Sequence, residues 1–190
     1  MANKGRDKMT LDEIIRARKS VRKFEPKPVE KEKIEQILEA ARLAPSACNA
    51  QPWRFVIVQS KTAREAVLKH GRLEEFFVSN KWATEAPVII VACSKKELLV
   101  HSIAEKAQGV QYHLIDIGIA CQQMVLKAQE LGLGTCYIGW FNAKQIKKVL
   151  DLPSGLNPEC LITLGYEADS EKNSDKRTPR KTLEEISLWK

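Results

Sequence analysis

Side chains able to do chemistry gather at four places in this chain. The first is Arg18-Lys19-Ser20-Val21-Arg22-Lys23-Phe24, where a short amphipathic stretch runs out. Cations at a helix C-terminus are favoured by the helix dipole alone, so one reading is an ordinary charged helix end. In the other, an extended segment turns Arg18, Ser20 and Arg22 to one side, offering guanidinium and hydroxyl donors to a phosphate or a ring carbonyl. The second place is Ala44-Pro45-Ser46-Ala47-Cys48-Asn49-Ala50-Gln51-Pro52-Trp53. As a turn, it would use Ser46 and Asn49 to satisfy local backbone groups. The amides of Asn49 and Gln51 can also match the donor and acceptor edge of a heterocycle.

Third comes Gly132-Leu133-Gly134-Thr135-Cys136-Tyr137-Ile138-Gly139-Trp140-Phe141. It follows a helical pattern and enters a strand, and its glycines are not spaced G-x-G-x-x-G, so it fails as a dinucleotide loop of the strand-to-helix kind. Gly139 is either a kink in a strand or a point where backbone must lie close to a flat ligand. The fourth place is Arg180-Lys181, a solvated pair or a phosphate clamp. His70, His101 and His113 are isolated from one another and from any carboxylate or thiol cluster, and read as surface or core histidines. The five cysteines are odd in number and widely spaced. They read as reduced thiols, and with no C-x-x-C or His/Cys cluster no metal is expected.

The elements that must position these residues can be read from periodicity. Thr10 with Glu13 forms a capping box, and Leu11, Ile14 and Ile15 give the first helix an apolar side. Ile34, Ile37, Leu38 and Ala41 predict a second helix ending before Pro45. Phe55–Val58 reads as a strand, and Thr62 with Glu65 opens a helix that ends near Gly71. Val88–Cys93 is apolar throughout and rich in β-branched residues, which predicts a buried central strand. Leu114, Ile117, Cys121, Met124, Val125, Ala128 and Leu131 form one stripe of a long helix closed by Gly132. A strand over Thr135–Trp140, a helix capped by Asn142 with Gln145, and a strand over Cys160–Tyr166 follow. Ala168–Thr178 reads as a solvated loop. Leu183–Trp189 is apolar with too little chain after it for cover, so it should dock on something already folded.

With 190 residues, 44% of them hydrophobic, the chain is expected to fold as a single domain, 1–190. No apolar run nears the roughly 18 to 20 residues that span a bilayer, and the N-terminus lacks a signal-peptide core, so a cytoplasmic protein with no membrane contact is expected. The net charge of +7 is interleaved with acidic residues rather than gathered on one face. That distribution argues against a nucleic-acid partner.

In this order and spacing, the four segments resemble the FMN-dependent nitroreductase family, short branch, over Leu11 to Trp189. The resemblance implies an α+β three-layer sandwich, with a mixed, largely antiparallel sheet between helix layers and a C-terminal arm exchanged in a homodimer. It puts Arg18, Lys19, Ser20 and Arg22 against the FMN phosphate, ribityl chain and ring. Pro45, Ser46, Asn49 and Gln51 would come from the partner subunit. Tyr137, Ile138 and Gly139 would lie beside the isoalloxazine with the Gly139 N–H near N5, and Arg180 and Lys181 would close on the phosphate. Longer relatives carry an acidic residue where Gly139 stands, and some cover the site with an insert longer than Gly71–Trp82. The implied activity passes hydride from NAD(P)H through flavin N5 to a nitroaromatic, quinone or similar flat acceptor in ping-pong order, with no catalytic side chain assigned. A dehalogenase-type or flavin-reductase enzyme on the same fold, or a flavin-binding module without turnover, is the alternative.

Overall fold

A strand that is apolar at every position needs cover on both faces. The computed structural model describes residues 9–71, 81–95, 109–169 and 179–190. In it β2 (Val88–Lys95) lies inside a four-stranded sheet ordered β1-β2-β4-β3, with β1 Trp53–Val58, β3 Gly134–Ile138 and β4 Leu156–Gly165. Val91 sits between Val56 on β1 and Leu161 on β4. Val88, Ile90 and Ala92 enter one core cluster; Ile89, Val91 and Cys93 enter the other. Each fully buried aliphatic side chain contributes roughly 1.5–3 kcal/mol, so this strand carries a large part of the core.

Helices supply the cover. In chain order among the described residues they are α1 (Leu11–Ala17), α2 (Lys31–Arg42), α3 (Lys61–His70), α4 (Tyr112–Glu130), α5 (Ala143–Val149) and α6 (Leu183–Ile186). Ile34, Ile37 and Ala41 of α2 meet Ile117, Cys121, Met124 and Val125 of α4 over one face. Val67 and Leu68 of α3 join Ile146 of α5 over the other. The expected α+β sandwich of three layers is therefore the observed one. Its named strands pair antiparallel throughout, and a single parallel bridge joins Ser20 to Thr135.

Several boundaries follow the caps that the sequence displays. Thr10 and Glu13 form the capping box of α1, and Asn142 Oδ1 accepts the Gln145 N–H at 3.1 Å to start α5. Gly132, at φ +75, closes α4 in a Schellman turn in which Leu133 N–H donates to Ala128 O and Gly132 N–H to Gln129 O. Others differ. α3 is capped by Ser60, whose Oγ accepts the Ala63 N–H at 3.2 Å, so Thr62 and Glu65 lie inside the helix. β4 begins at Leu156 rather than Cys160, because the register shift between Ala92 and Cys93 makes room for Pro158, a residue that otherwise argues against a strand. β1 starts two residues before the expected Phe55, and β3 stops at Ile138 rather than Trp140. Only Ile14 of α1 is buried, leaving Leu11 and Ile15 exposed. His101 and most of the 71–82 and 168–178 segments lie outside the described residues.

Candidate functional site

Beyond α1 the chain turns extended and runs beside β3. Val21 N–H donates to Thr135 O at 2.9 Å, and Glu25 N–H donates to Tyr166 O at 2.9 Å. Close approach here depends on Gly134, where a Cβ would come within 2.7 Å of the Val21 side chain. Extended backbone alternates its side chains. Val21 goes into the core, and Lys19 reaches Glu167 in a half-buried ion pair of 2.7 Å. Ser20 hydrogen-bonds the Cys136 thiol of β3, and Arg18 and Arg22 lie near enough for their charges to act on it. Burial pushes that thiol up from its ordinary value, opposed by the Arg22 charge, by a hydrogen bond with Ser20 and by Arg18. Arg22 also lies over the Trp82 ring, 5.7 Å from its centroid.

The floor of this cluster is the end of β3. Tyr137 is partly exposed and close enough to Arg18 to feel its charge, and Ile138 is buried in the sheet. Gly139 follows immediately, with nothing within 4 Å of the position a Cβ would take and no left-handed φ. Neither backbone strain nor intrachain packing therefore demands a glycine there. What its missing side chain leaves is open space at the end of β3, next to an exposed Trp140.

The 44–52 loop is locally self-satisfied and conformationally unusual. Ser46 Oγ accepts the Gln51 N–H at 3.0 Å, and Gln51 Nε2 donates to Asn49 Oδ1 at 3.1 Å. Cys48, Asn49 and Gln51 all adopt positive φ, near 50°, a region costing non-glycine residues about 1–2 kcal/mol each. Pro45, Asn49 and Gln51 are exposed, and no hydrogen bond or ion pair joins the loop to Arg18, Ser20 or Arg22 among the described residues. The loop is tied instead to α4, where Asp116 Oδ1 accepts the Ala47 N–H at 3.0 Å. Sequence reasoning passed over Asp116, although a lone carboxylate in the apolar run Leu114–Cys121 was the available signal. Arg180 and Lys181 are exposed just before α6, which Thr182 and Glu185 cap. After them Leu183, Ile186, Leu188 and Trp189 are exposed, Trp189 to 95%. Leu114, Ile115 and Ile119 of α4 are exposed too.

An antiparallel sheet between helix layers, with an extended segment running beside β3, is an α+β sandwich whose fold solved proteins share. The Nitroreductase family model matches residues 15–166, and the chain belongs to that family. It is 31% identical to a solved nitroreductase family protein from Clostridium novyi NT, which superposes with a TM-score of 0.73 over 87% of this chain and 89% of that one. An FMN-dependent nitroreductase from Clostridium difficile R20291 is 28% identical, with a TM-score of 0.67 over 89% of this chain and 98% of that one. The FMN reductase (NAD(P)H) of Bacillus subtilis is 27% identical over 174 residues, covering 84% of this chain and 68% of the relative. The protein is an NAD(P)H-dependent, nitroreductase-like enzyme of the flavin oxidoreductase type.

Proposed function

We propose that this enzyme binds FMN, takes hydride from NAD(P)H and delivers it to a nitroaromatic, quinone or similar flat acceptor in ping-pong order. It works as a cytoplasmic homodimer with two flavin sites at the subunit interface, each chain a single domain. The observation that carries this reading is the nearness of Arg18, Ser20 and Arg22 to the Cys136 thiol of β3, the strand that runs out into the open position at Gly139. Cations and a hydroxyl suit a phosphate and a carbonyl-edged ring, and an unfilled strand end suits a flat one.

FMN, when bound, supplies the hydride chemistry. The chain's own residues bind and orient. Arg18, Arg180 and Lys181 hold the phosphate by charge-assisted hydrogen bonds. Ser20 and Arg22 meet the ribityl chain and ring edge, where a guanidinium favours negative charge. Lys19 is already balanced by Glu167, so it adds less net charge than its neighbours. Tyr137, Ile138 and Gly139 form the floor, with the Gly139 N–H toward N5. Pro45, Ser46, Asn49 and Gln51 come from the partner subunit. Exposure of the apolar face of α4 and of the C-terminal tail supports that dimer, because such surface in one chain marks a partner's place. A groove of about 500 Å³, lined by Leu11, Ile14, Leu43 and Leu126 among others, offers further apolar surface beside α1.

The test is the purified protein's absorbance. Oxidised-flavin bands are expected, with the pigment released on denaturation identified as FMN and bleached within seconds by NADH or NADPH. A colourless protein that cannot be reconstituted would overturn the cofactor reading, and a yellow protein that neither nucleotide bleaches would overturn the enzymatic one.

A further inference from the structure

Asp116 is 3% exposed, and its two carboxylate oxygens differ in their circumstances. Oδ1 accepts the Ala47 N–H at 3.0 Å, across 69 residues of sequence. Oδ2 is buried and has no hydrogen-bond partner. A buried carboxylate serving stability would have both oxygens satisfied, since an unmet acceptor bears the desolvation cost with no return. The bond that Asp116 does make falls where the loop needs an outside hold. Ala47 immediately precedes Cys48 and Asn49, which with Gln51 are held left-handed at a conformational cost. Strained residues persist only when surrounding structure over-determines them. Within the loop, Ser46 Oγ accepts the Gln51 N–H, Gln51 Nε2 donates to Asn49 Oδ1 and Asn49 N–H donates to Ser46 O, while Lys95 N–H to Pro52 O at 2.8 Å and Arg54 to Gln51 O at 3.4 Å hold its C-terminal end; the bond to Asp116 is the one from α4 that holds the start of the left-handed turn.

We infer that Asp116 is a positioning residue: from the core of α4 it locks the 44–52 loop into the left-handed form that presents Asn49 and Gln51 to the flavin. The inference deepens the proposed function and rests on its assignment of that loop. Removing the carboxylate should loosen the loop and weaken FMN while leaving the apoprotein as stable as before, or more so, because the unmet Oδ2 goes with it. Asp116→Ala, Asp116→Asn and wild type are compared as apoproteins by two readouts, FMN titration through quenching of its fluorescence and hydrogen exchange in the peptide spanning 44–52. For Asp116→Ala, FMN affinity should fall at least tenfold and loop exchange rise at least tenfold, with an unchanged or higher melting temperature. Asp116→Asn keeps an acceptor for Ala47 N–H and should return both readouts to within about threefold of wild type. Unchanged exchange in Asp116→Ala overturns the anchor. Faster exchange with unchanged FMN affinity overturns its link to the ligand, and weaker FMN binding accompanied by a lowered melting temperature reduces Asp116 to a structural residue. A wild-type protein that binds no FMN removes the flavin assignment and with it the inference's ligand, while the exchange contrast still decides whether Asp116 holds the loop.

Discussion

At Gly139 a methyl group would enter open space, whereas at Gly134 it would meet Val21 within 2.7 Å. The two glycines should therefore respond in opposite ways. Gly139→Val is expected to leave apoprotein stability within about 0.5 kcal/mol, as surface changes do, and to lower turnover or FMN affinity at least tenfold. Gly134→Ala should instead cost about 1–3 kcal/mol by overpacking. Thermal melts of both apoproteins beside FMN titrations check the pair; lost stability with intact flavin binding in Gly139→Val would make that glycine a structural kink. The proposed phosphate contacts make a second prediction at this scale. Truncating Arg18 or Arg180 to Ala removes charge-assisted hydrogen bonds and should weaken FMN about tenfold with the fold intact. Flavin content unchanged in both variants would take these residues out of the site. The thiols, too, are graded by environment. Cys48 is exposed, whereas burial pushes Cys93 up to about 12 and Cys136 upward as well. Because the thiolate is the nucleophile, Cys48 should react with an aromatic disulfide at pH 8 in the native apoprotein, and Cys93 and Cys136 only after denaturation.

Elements here are ended by local chemistry but oriented by contacts far away in sequence. The Schellman turn at Gly132 sets where α4 stops and β3 begins, and so where Cys136 and Gly139 fall relative to Arg18. Gly132 is at φ +75, and Gly132→Ala should cost about 1–2 kcal/mol, read as a lowered melting temperature. At the other end, α6 and the residues after it leave Leu183, Ile186, Leu188 and Trp189 in solvent. Deleting 183–190 removes little packing within one chain, so apoprotein secondary structure should persist. If that tail crosses to a partner, the deletion should shift sedimentation from dimer toward monomer. A truncated chain that sediments as wild type would show that the tail takes no part in assembly.

At the scale of the whole molecule, among the described residues no hydrogen bond or ion pair joins Arg18, Ser20 or Arg22 to the 44–52 loop, which accords with the proposed two-subunit site. A symmetric dimer repeats each interface twice, and that makes complementation decisive. An Arg18→Glu homodimer and a Ser46→Arg/Asn49→Ala homodimer should each be inactive, because every site carries one lesion. In a mixed dimer one site gathers both lesions and the other is built from unmutated segments. Co-refolding equal amounts makes about half the dimers mixed, so activity should return to roughly a quarter of wild type. No recovery, with mixed dimers demonstrated by differential tagging, would place the whole site within one chain.

Period and punctuation in the sequence determined most of the elements, because caps, glycine turns and apolar stripes act over a few residues. Thr10 and Asn142 start their helices and Gly132 closes its own as their types require, and Val88–Cys93 is buried on both faces as its composition demands. The extended run beyond α1 was likewise legible, and it pairs with β3 through Val21 N–H and the bridge at Ser20. Hidden from the sequence was everything set by register and distant packing. The start of β4 at Leu156 depends on a bulge opposite Cys93 that accommodates Pro158, and Ser60 rather than Thr62 took the cap of α3. Whether Lys19 would face a ligand or an acid depended on Glu167, 148 positions along the chain and brought near by the bridge at Phe24. Asp116 read as one polar residue in an apolar run. Only the folded chain sets it under Ala47, because a hydrogen bond spanning 69 residues exists only once α4 and the 44–52 loop have packed together.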